Sequence, residues 1–142
     1  GNNFKNMMRD LTLEYPDFII ATSEWFKMTD AHPFFSHVGD HADELETSVM
    51  MHYHPELVSL SEAGQGDSRG FGIKALSEGK VWIPRNWAKV SRDTGIGSPA
   101  KATAEKGARF AAAVVEKYVE FLADFARVET IDDLYEPQFH NE

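Results

Sequence analysis

The stretch from Ser98 to Phe125 most constrains what this chain can fold into. Ser98 is a good N-cap, and Pro99 suits the first helical position. Behind them Phe110, Val114, Val115, Tyr118, Phe121, Leu122 and Phe125 recur at helical spacing, while Glu105, Lys106, Arg109, Glu116 and Lys117 fill the other face. The spacing predicts one long amphipathic helix from about Pro99 to Phe125, with Phe110, Val114, Phe121 and Leu122 buried. A helix with one apolar stripe must lay it on a second layer. The three alanines at 111–113 let that layer approach closely.

The rest of the chain suggests what the layer is. Phe4, Met7, Met8 and Leu11 predict an opening amphipathic helix, stopped at Tyr15-Pro16 because the residue before proline avoids the helical region. Asp17 to Thr22 then reads as a short buried strand, its apolar run continuous as in a parallel sheet covered on both faces. Residues 23–39 are aromatic and irregular, and a further helix is predicted from Asp40 or Asp43 to His52, with Pro55 after its end. Residues 61–79 are rich in glycine and least regular, and Lys80 to Ile83 reads as an edge strand stopped by Pro84. Helix followed by strand points to α/β architecture. There are no internal repeats, and the acidic end, 129–142, is expected to be loose.

With 142 residues the chain is one domain's worth of material. Its net charge of -9 argues against nucleic acid or an anionic membrane as partner. No apolar run is long enough to span a bilayer, and the opening residues do not read as a signal peptide. Cysteine is absent, which fits a cytoplasmic setting and leaves His, Asp and Glu as the side chains for any metal.

The chemistry concentrates in Asp40-His41-Ala42-Asp43-Glu44-Leu45-Glu46, one imidazole and four carboxylates at a helix start. A metal hydrolase needs such groups: carboxylate and imidazole hold a divalent cation, and a free acid-base group moves the proton of the attacking water. The same residues also read as a capping box, with Asp43 as N-cap and Glu46 at N3, and carboxylates suit a helix N-terminus. Spacing alone favours the cap.

Three segments resemble the creatininase (creatinine amidohydrolase) family. Gly39 to Val58, GDHADELETSVMMHYHPELV, is similar to a signature of acidic residue, His-Ala-Gly, Glu-Thr-Ser and Pro-x-Leu-Val. Gly1-Asn2-Asn3 looks like the tail of an Asn-Gly-His-Gly-Gly-Asn motif. Thr94 to Pro99, with Ala102 to Gly107, resembles the family's glycine turn and final helix. The resemblance implies a three-layer α/β sandwich with a mostly parallel sheet, of which residues 1–142 are the C-terminal part of a single domain. It implies hydrolysis of a non-peptide or cyclic amide at a centre of two divalent metals, zinc, manganese or iron, in a homo-oligomer. Most ligands belong to an N-terminal half that this chain lacks, so the chain alone is expected to be inactive. Carried over by position, Glu46 is the metal ligand, His41 the proton shuttle to the leaving nitrogen, and Asp40 its orienter or a substrate contact. The chain departs from the family in having Asp40 where creatininases proper have Glu, and Asp43 in place of the usual Gly. The competing reading is a non-catalytic half whose acidic cluster only caps a helix.

Elsewhere the ordinary readings hold sway. His32, His37, His52 and His54 read as packing or surface residues, and Trp25, Trp82 and Trp87 as core or interface anchors rather than a wall over a flat substrate. Gly95-Ile96-Gly97 reads as a tight turn rather than an anion cradle.

Overall fold

Helix α1, Asn2–Glu14, ends where Tyr15-Pro16 forbids another turn. Helix α2 is Glu44–Tyr53, and Pro55 follows its cap residue His54. Two single turns, α3 at Lys74–Ser77 and α4 at Trp87–Val90, precede the long α5 at Ala104–Phe125. Short 3₁₀ turns lie at Trp25–Lys27, Pro55–Leu57, Leu60–Glu62 and Ile131–Leu134. The computed structural model describes residues 2–136, and of residues 2 and 3 the backbone alone. The acidic end was expected to be loose; its described part carries the Ile131–Leu134 turn, closed by a Thr130–Asp133 capping box, and residues 137–142 lie outside the described residues. Gly1 of the amino-terminal motif lies outside them too.

The long helix begins five residues later than Ser98-Pro99 suggested. Ala102 N donates to Pro99 O at 2.8 Å and Ala100 N to Ser98 Oγ at 3.4 Å, so these residues close a turn of their own. Thr103 then caps α5, its Oγ1 accepting from Lys106 N at 3.2 Å. Two cap signals stand in sequence, and the helix uses the second.

The chain divides into two compact units: Asp30–Ala113, and Gly1–Thr29 with Val114–Glu142. In the first, Phe34 and Phe35 meet Phe110 edge-on, with ring centroids 5.4 and 5.2 Å apart. Phe110 is 0% exposed and shares the core with Ala31, Phe35, Leu45, Ala102 and Ala111. Helix α5 crosses α2 at Gly107, where an added Cβ would lie 2.0 Å from Ser48 O. Ser48 completes the crossing: its hydroxyl donates to Glu44 O at 2.6 Å and accepts from Thr103 N at 3.1 Å.

In the second unit Ser23 and Tyr118 share a hydroxyl hydrogen bond of 2.6 Å, and Phe121 stacks on Phe125. Val114 is buried as expected, but Phe121 is 37% and Leu122 56% exposed, so the predicted burial of these two is not met. The apolar stripe of α5 is buried at Phe110 and Val114 and solvent-exposed at Phe121 and Leu122. Helix α1 repeats this pattern, with Phe4 and Met7 exposed.

The two predicted strands are absent. Residues 17–22 leave a turn in which Phe18 N bonds Tyr15 O, and then run on without a ladder. Lys80 N and Val81 N both donate to Ala75 O, which folds that segment back on α3. An apolar run gives a strand its burial, but only a neighbouring strand gives it hydrogen bonds. Among the described residues the β pairing amounts to two isolated antiparallel bridges, His41 with Ile96 and Ser68 with Ser91. No helix among the described residues is long and apolar enough to cross a membrane.

Candidate active site at the start of helix α2

The first of those bridges holds the candidate site. Ile96 N donates to His41 O at 2.8 Å, and Asp40 N and His41 N both donate to Ile96 O, at 2.8 and 3.3 Å. Gly97 follows Ile96 with φ +113, a backbone open to glycine and strained for other residues. Its Cα lies 2.8 Å from where a Cβ on Gly39 would stand. The glycine turn near 96 and the acidic-His segment near 40 are thus pressed together backbone to backbone. Ala42 then takes φ 49, an uncommon conformation for a residue with a side chain, and turns the chain into α2.

Asp43 is the N-cap, as the capping reading expected. Its Oδ1 accepts from Glu46 N at 2.9 Å and its Oδ2 from Gly39 N at 2.6 Å. The box is shifted by one residue: Glu46 Oε2 accepts from Ala42 N at 2.7 Å. Glu44, unremarked in the sequence beyond its part in the cluster, points inward and is 0% exposed. Its Oε2 accepts from Ser36 N and His37 N at 3.0 and 2.9 Å, and its Oε1 from Lys106 Nζ at 2.5 Å. Burial opposes the charge, but the Lys106 ammonium and the two amides outweigh it and hold this carboxyl below the usual glutamate value. Nothing in the local sequence signals this pair, whose members are 62 residues apart.

The three predicted site residues come together on the outer side of the turn. The side chains of Asp40, His41 and Glu46 are 49%, 50% and 45% exposed. His41 Nδ1 lies 3.8 Å from Glu46 Oε2, close enough to feel its charge and too far for a hydrogen bond. Asp40 pairs with Arg85. The His41 ring faces Trp87, centroids 5.2 Å apart, and the Arg85 guanidinium lies 5.8 Å from the same indole. Trp87 therefore stands beside the candidate shuttle and is exposed, as are Trp25 and Trp82, so of the expected core or interface anchoring the core alternative is not met. Arg85 and Trp87 carried no motif that singled them out. Of the other histidines, His32 pairs with Asp30 and His54 lies 3.3 Å from Glu56, both at the surface.

Two cavities flank this cluster. One of about 430 Å³ is lined by Ala42, Glu46, Thr47, Met50 and Asp93, among others. The other, about 660 Å³, is lined by Asp40, Arg69, Arg85 and Lys89 among others. Asp93 is held ionised by hydrogen bonds from the amides of Gly66 and Gly95, which lower its pKa. Against a metal the donor set fits in kind but not in number. Carboxylate and imidazole are suitable ligands, and Glu46 Oε1 and the His41 ring make no hydrogen bond among the described residues. Among the described residues, however, no group of three or more acidic, His or Cys side chains is arranged to hold an ion.

Comparison with known proteins agrees with the motifs. The family model Creatininase, described as creatinine amidohydrolase, matches residues 1–122. A crystal structure of the "Putative creatinine amidohydrolase from Bacteroides fragilis NCTC 9343" is 51% identical and superposes with a TM-score of 0.86 over 96% of this chain. A search of curated proteins finds no match. The chain belongs to the creatininase family. It covers 53% of the Bacteroides fragilis chain, and so spans about half the length of the solved structure it matches.

Proposed function

We propose that this chain supplies the proton-transfer side of a metal-dependent hydrolase that opens a non-peptide or cyclic amide C–N bond. The carrying observation is the convergence of Asp40, His41 and Glu46 on one half-exposed rim in a chain of the creatininase family. A divalent metal pair would polarise the amide carbonyl and acidify the attacking water. Glu46, whose Oε1 makes no hydrogen bond among the described residues, would hold one of these ions. The other donors would come from an N-terminal half, which would also complete the three-layer sandwich and its parallel sheet and cover the apolar stripes of α1 and α5. Water adds its oxygen to the carbonyl carbon, and one of its protons passes through the His41 imidazole to the leaving nitrogen as the C–N bond breaks. Asp40, paired with Arg85, fixes the backbone and charge beside that imidazole. Trp87 limits the ring's freedom on its other side. In this reading the assembly is a cytoplasmic homo-oligomer and 1–142 alone is inactive.

The capping reading has its own support in the Glu46 Oε2 bond to Ala42 N. One experiment separates the two. In the complete protein, creatine formed from creatinine, and formate released from N-formyl amines, measure turnover while metal content is read in parallel. His41→Ala should keep its metal and slow turnover by about 10²–10⁴-fold. Glu46→Gln should lose metal, because the amide gives up the anionic charge. Full metal load and full turnover in Glu46→Gln, with normal turnover in His41→Ala, would leave only the cap.

A further inference from the structure

The second isolated bridge, Ser68 with Ser91, ties the glycine-rich loop to the end of α4. Arg69 N donates to Val90 O at 2.9 Å, which sets Arg69 in register with Val90. Lys89 precedes Val90 on the helix, and Arg85 stands two residues before the helix begins. These three cations line the cavity of about 660 Å³, and Asp40 is the one carboxylate in the described lining. Asp40 pairs with Arg85. The side chains of Arg69 and Lys89 have no charged partner and no hydrogen bond among the described residues. A chain with net charge -9 thus gathers two unmatched cations on one concave wall. Like charges placed together repel, and a bound anion offsets that repulsion. Arginine's planar fork suits an oxyanion bidentately, and lysine adds a point charge. The volume exceeds what a bare inorganic ion needs and suits an organic ligand.

We infer that this cavity binds the anionic end of the amide substrate, a carboxylate or a phosphate ester, through Arg69, Lys89 and Arg85. The inference rests on the hydrolase reading above and adds the substrate class to it. Asp40 connects the two, since it lines the cavity and is the residue next to His41. Trp87, which faces His41, opens the helix that carries Lys89. The half-buried Phe71 lines the same wall and offers apolar surface to the body of the ligand.

The test is isothermal titration of the complete protein, at low salt, with inorganic phosphate, with succinate and with neutral acetamide. We expect saturable binding of at least one anion, none of acetamide, and weakening as sodium chloride is added. A response to phosphate alone assigns a phosphate ester, and to succinate alone a carboxylate. Arg69→Gln/Lys89→Gln should raise the dissociation constant by about tenfold or more. Both side chains are exposed, so the double variant should fold. Should it not, Lys89→Gln alone should raise the constant about two- to fivefold. No binding of either anion by the wild type, or unchanged binding by the variants, overturns the inference. Because the readout is binding, turnover that survives with no anion site sinks the inference alone, and an anion site in a protein that turns over no amide sinks the hydrolase reading and with it the assignment of the anion to a substrate.

Discussion

Glu44 and Glu46 sit two residues apart on the first turn of α2 and live in opposite surroundings. Glu44 faces inward, where a lysine and two backbone amides satisfy it. Glu46 faces outward, with one oxygen on Ala42 N and the other without a hydrogen bond among the described residues. The inner carboxylate is part of the architecture: it ties residues 36 and 37 and the start of α5 to α2. The outer one is available. A dense acidic cluster at a helix start is therefore not one feature. Helical geometry points neighbouring carboxylates to different faces, and one whose oxygens are already taken by protein donors is not free to take a ligand.

The largest loss of stability is expected at Glu44. Glu44→Ala takes the carboxylate from the Lys106 ammonium, which keeps only Lys101 O, and leaves the amides of Ser36 and His37 without their acceptor. Loss of one partner of a fully buried pair costs on the order of 3–5 kcal/mol, and the 28% exposure of the Lys106 side chain puts this loss at the low end. Urea unfolding of the complete protein should show it, and a cost below about 1 kcal/mol would mean that solvent replaces the carboxylate.

The same residue sets an acid limb. Its folded pKa lies below the ordinary glutamate value, so between the two values the unfolded state binds the extra proton. The contribution to stability is therefore present above the unfolded pKa and is lost as pH falls through the folded one. Glu44→Gln should fall less in stability between pH 7 and pH 3 than the wild type does. Parallel curves for the two proteins would remove Glu44 from the acid limb.

Asp43 is intermediate, buried like Glu44 but bonded only to backbone amides. Asp43→Ala removes the N-cap and the bond to Gly39 N together. A lost cap costs roughly 0.5–2 kcal/mol, and the second bond puts this one at the upper end. Asp43→Asn keeps the capping oxygen but turns its NH2 toward Gly39 N, so it should recover the share of the cap and not that of the second bond, as melting temperatures would show.

The helices were legible because their signals are local: Pro16 and Pro55 stop α1 and α2, and Asp43 starts α2. Ser98-Pro99 misled because Thr103 is an equally good cap nearer the first packed turn. The strands failed for a different reason. Residues 17–22 are apolar enough for a buried strand, yet pairing is a property of two segments and no single run encodes it. Asp40, His41 and Glu46 were legible as a cluster because they are close in sequence. Arg85, Trp87 and Lys106 were not, because bridges and helix crossings bring them there from 45 or more residues away.

The smallest effect on stability is expected at Glu46. Glu46→Gln repeats at the outer carboxylate the change made at Glu44. Glutamine is accepted at this position of a cap, and its amide oxygen still reaches Ala42 N. What disappears is the charge, worth about 0.3–1 kcal/mol at a helix N-terminus and least where the group is solvated. The side chain is 45% exposed, so the cost should stay within about 0.5 kcal/mol. Glu44→Gln removes a charge that is shielded from water and should cost about 1.5–3 kcal/mol. The two variants are compared by urea unfolding of the complete protein after exhaustive chelation, so that metal binding adds nothing to either curve. Equal costs would mean that both carboxylates are structural, and the division between an inner and an outer face would fall. A small cost at Glu46 joined to loss of metal in the unchelated protein would assign the outer carboxylate to the ion and the inner one to the fold.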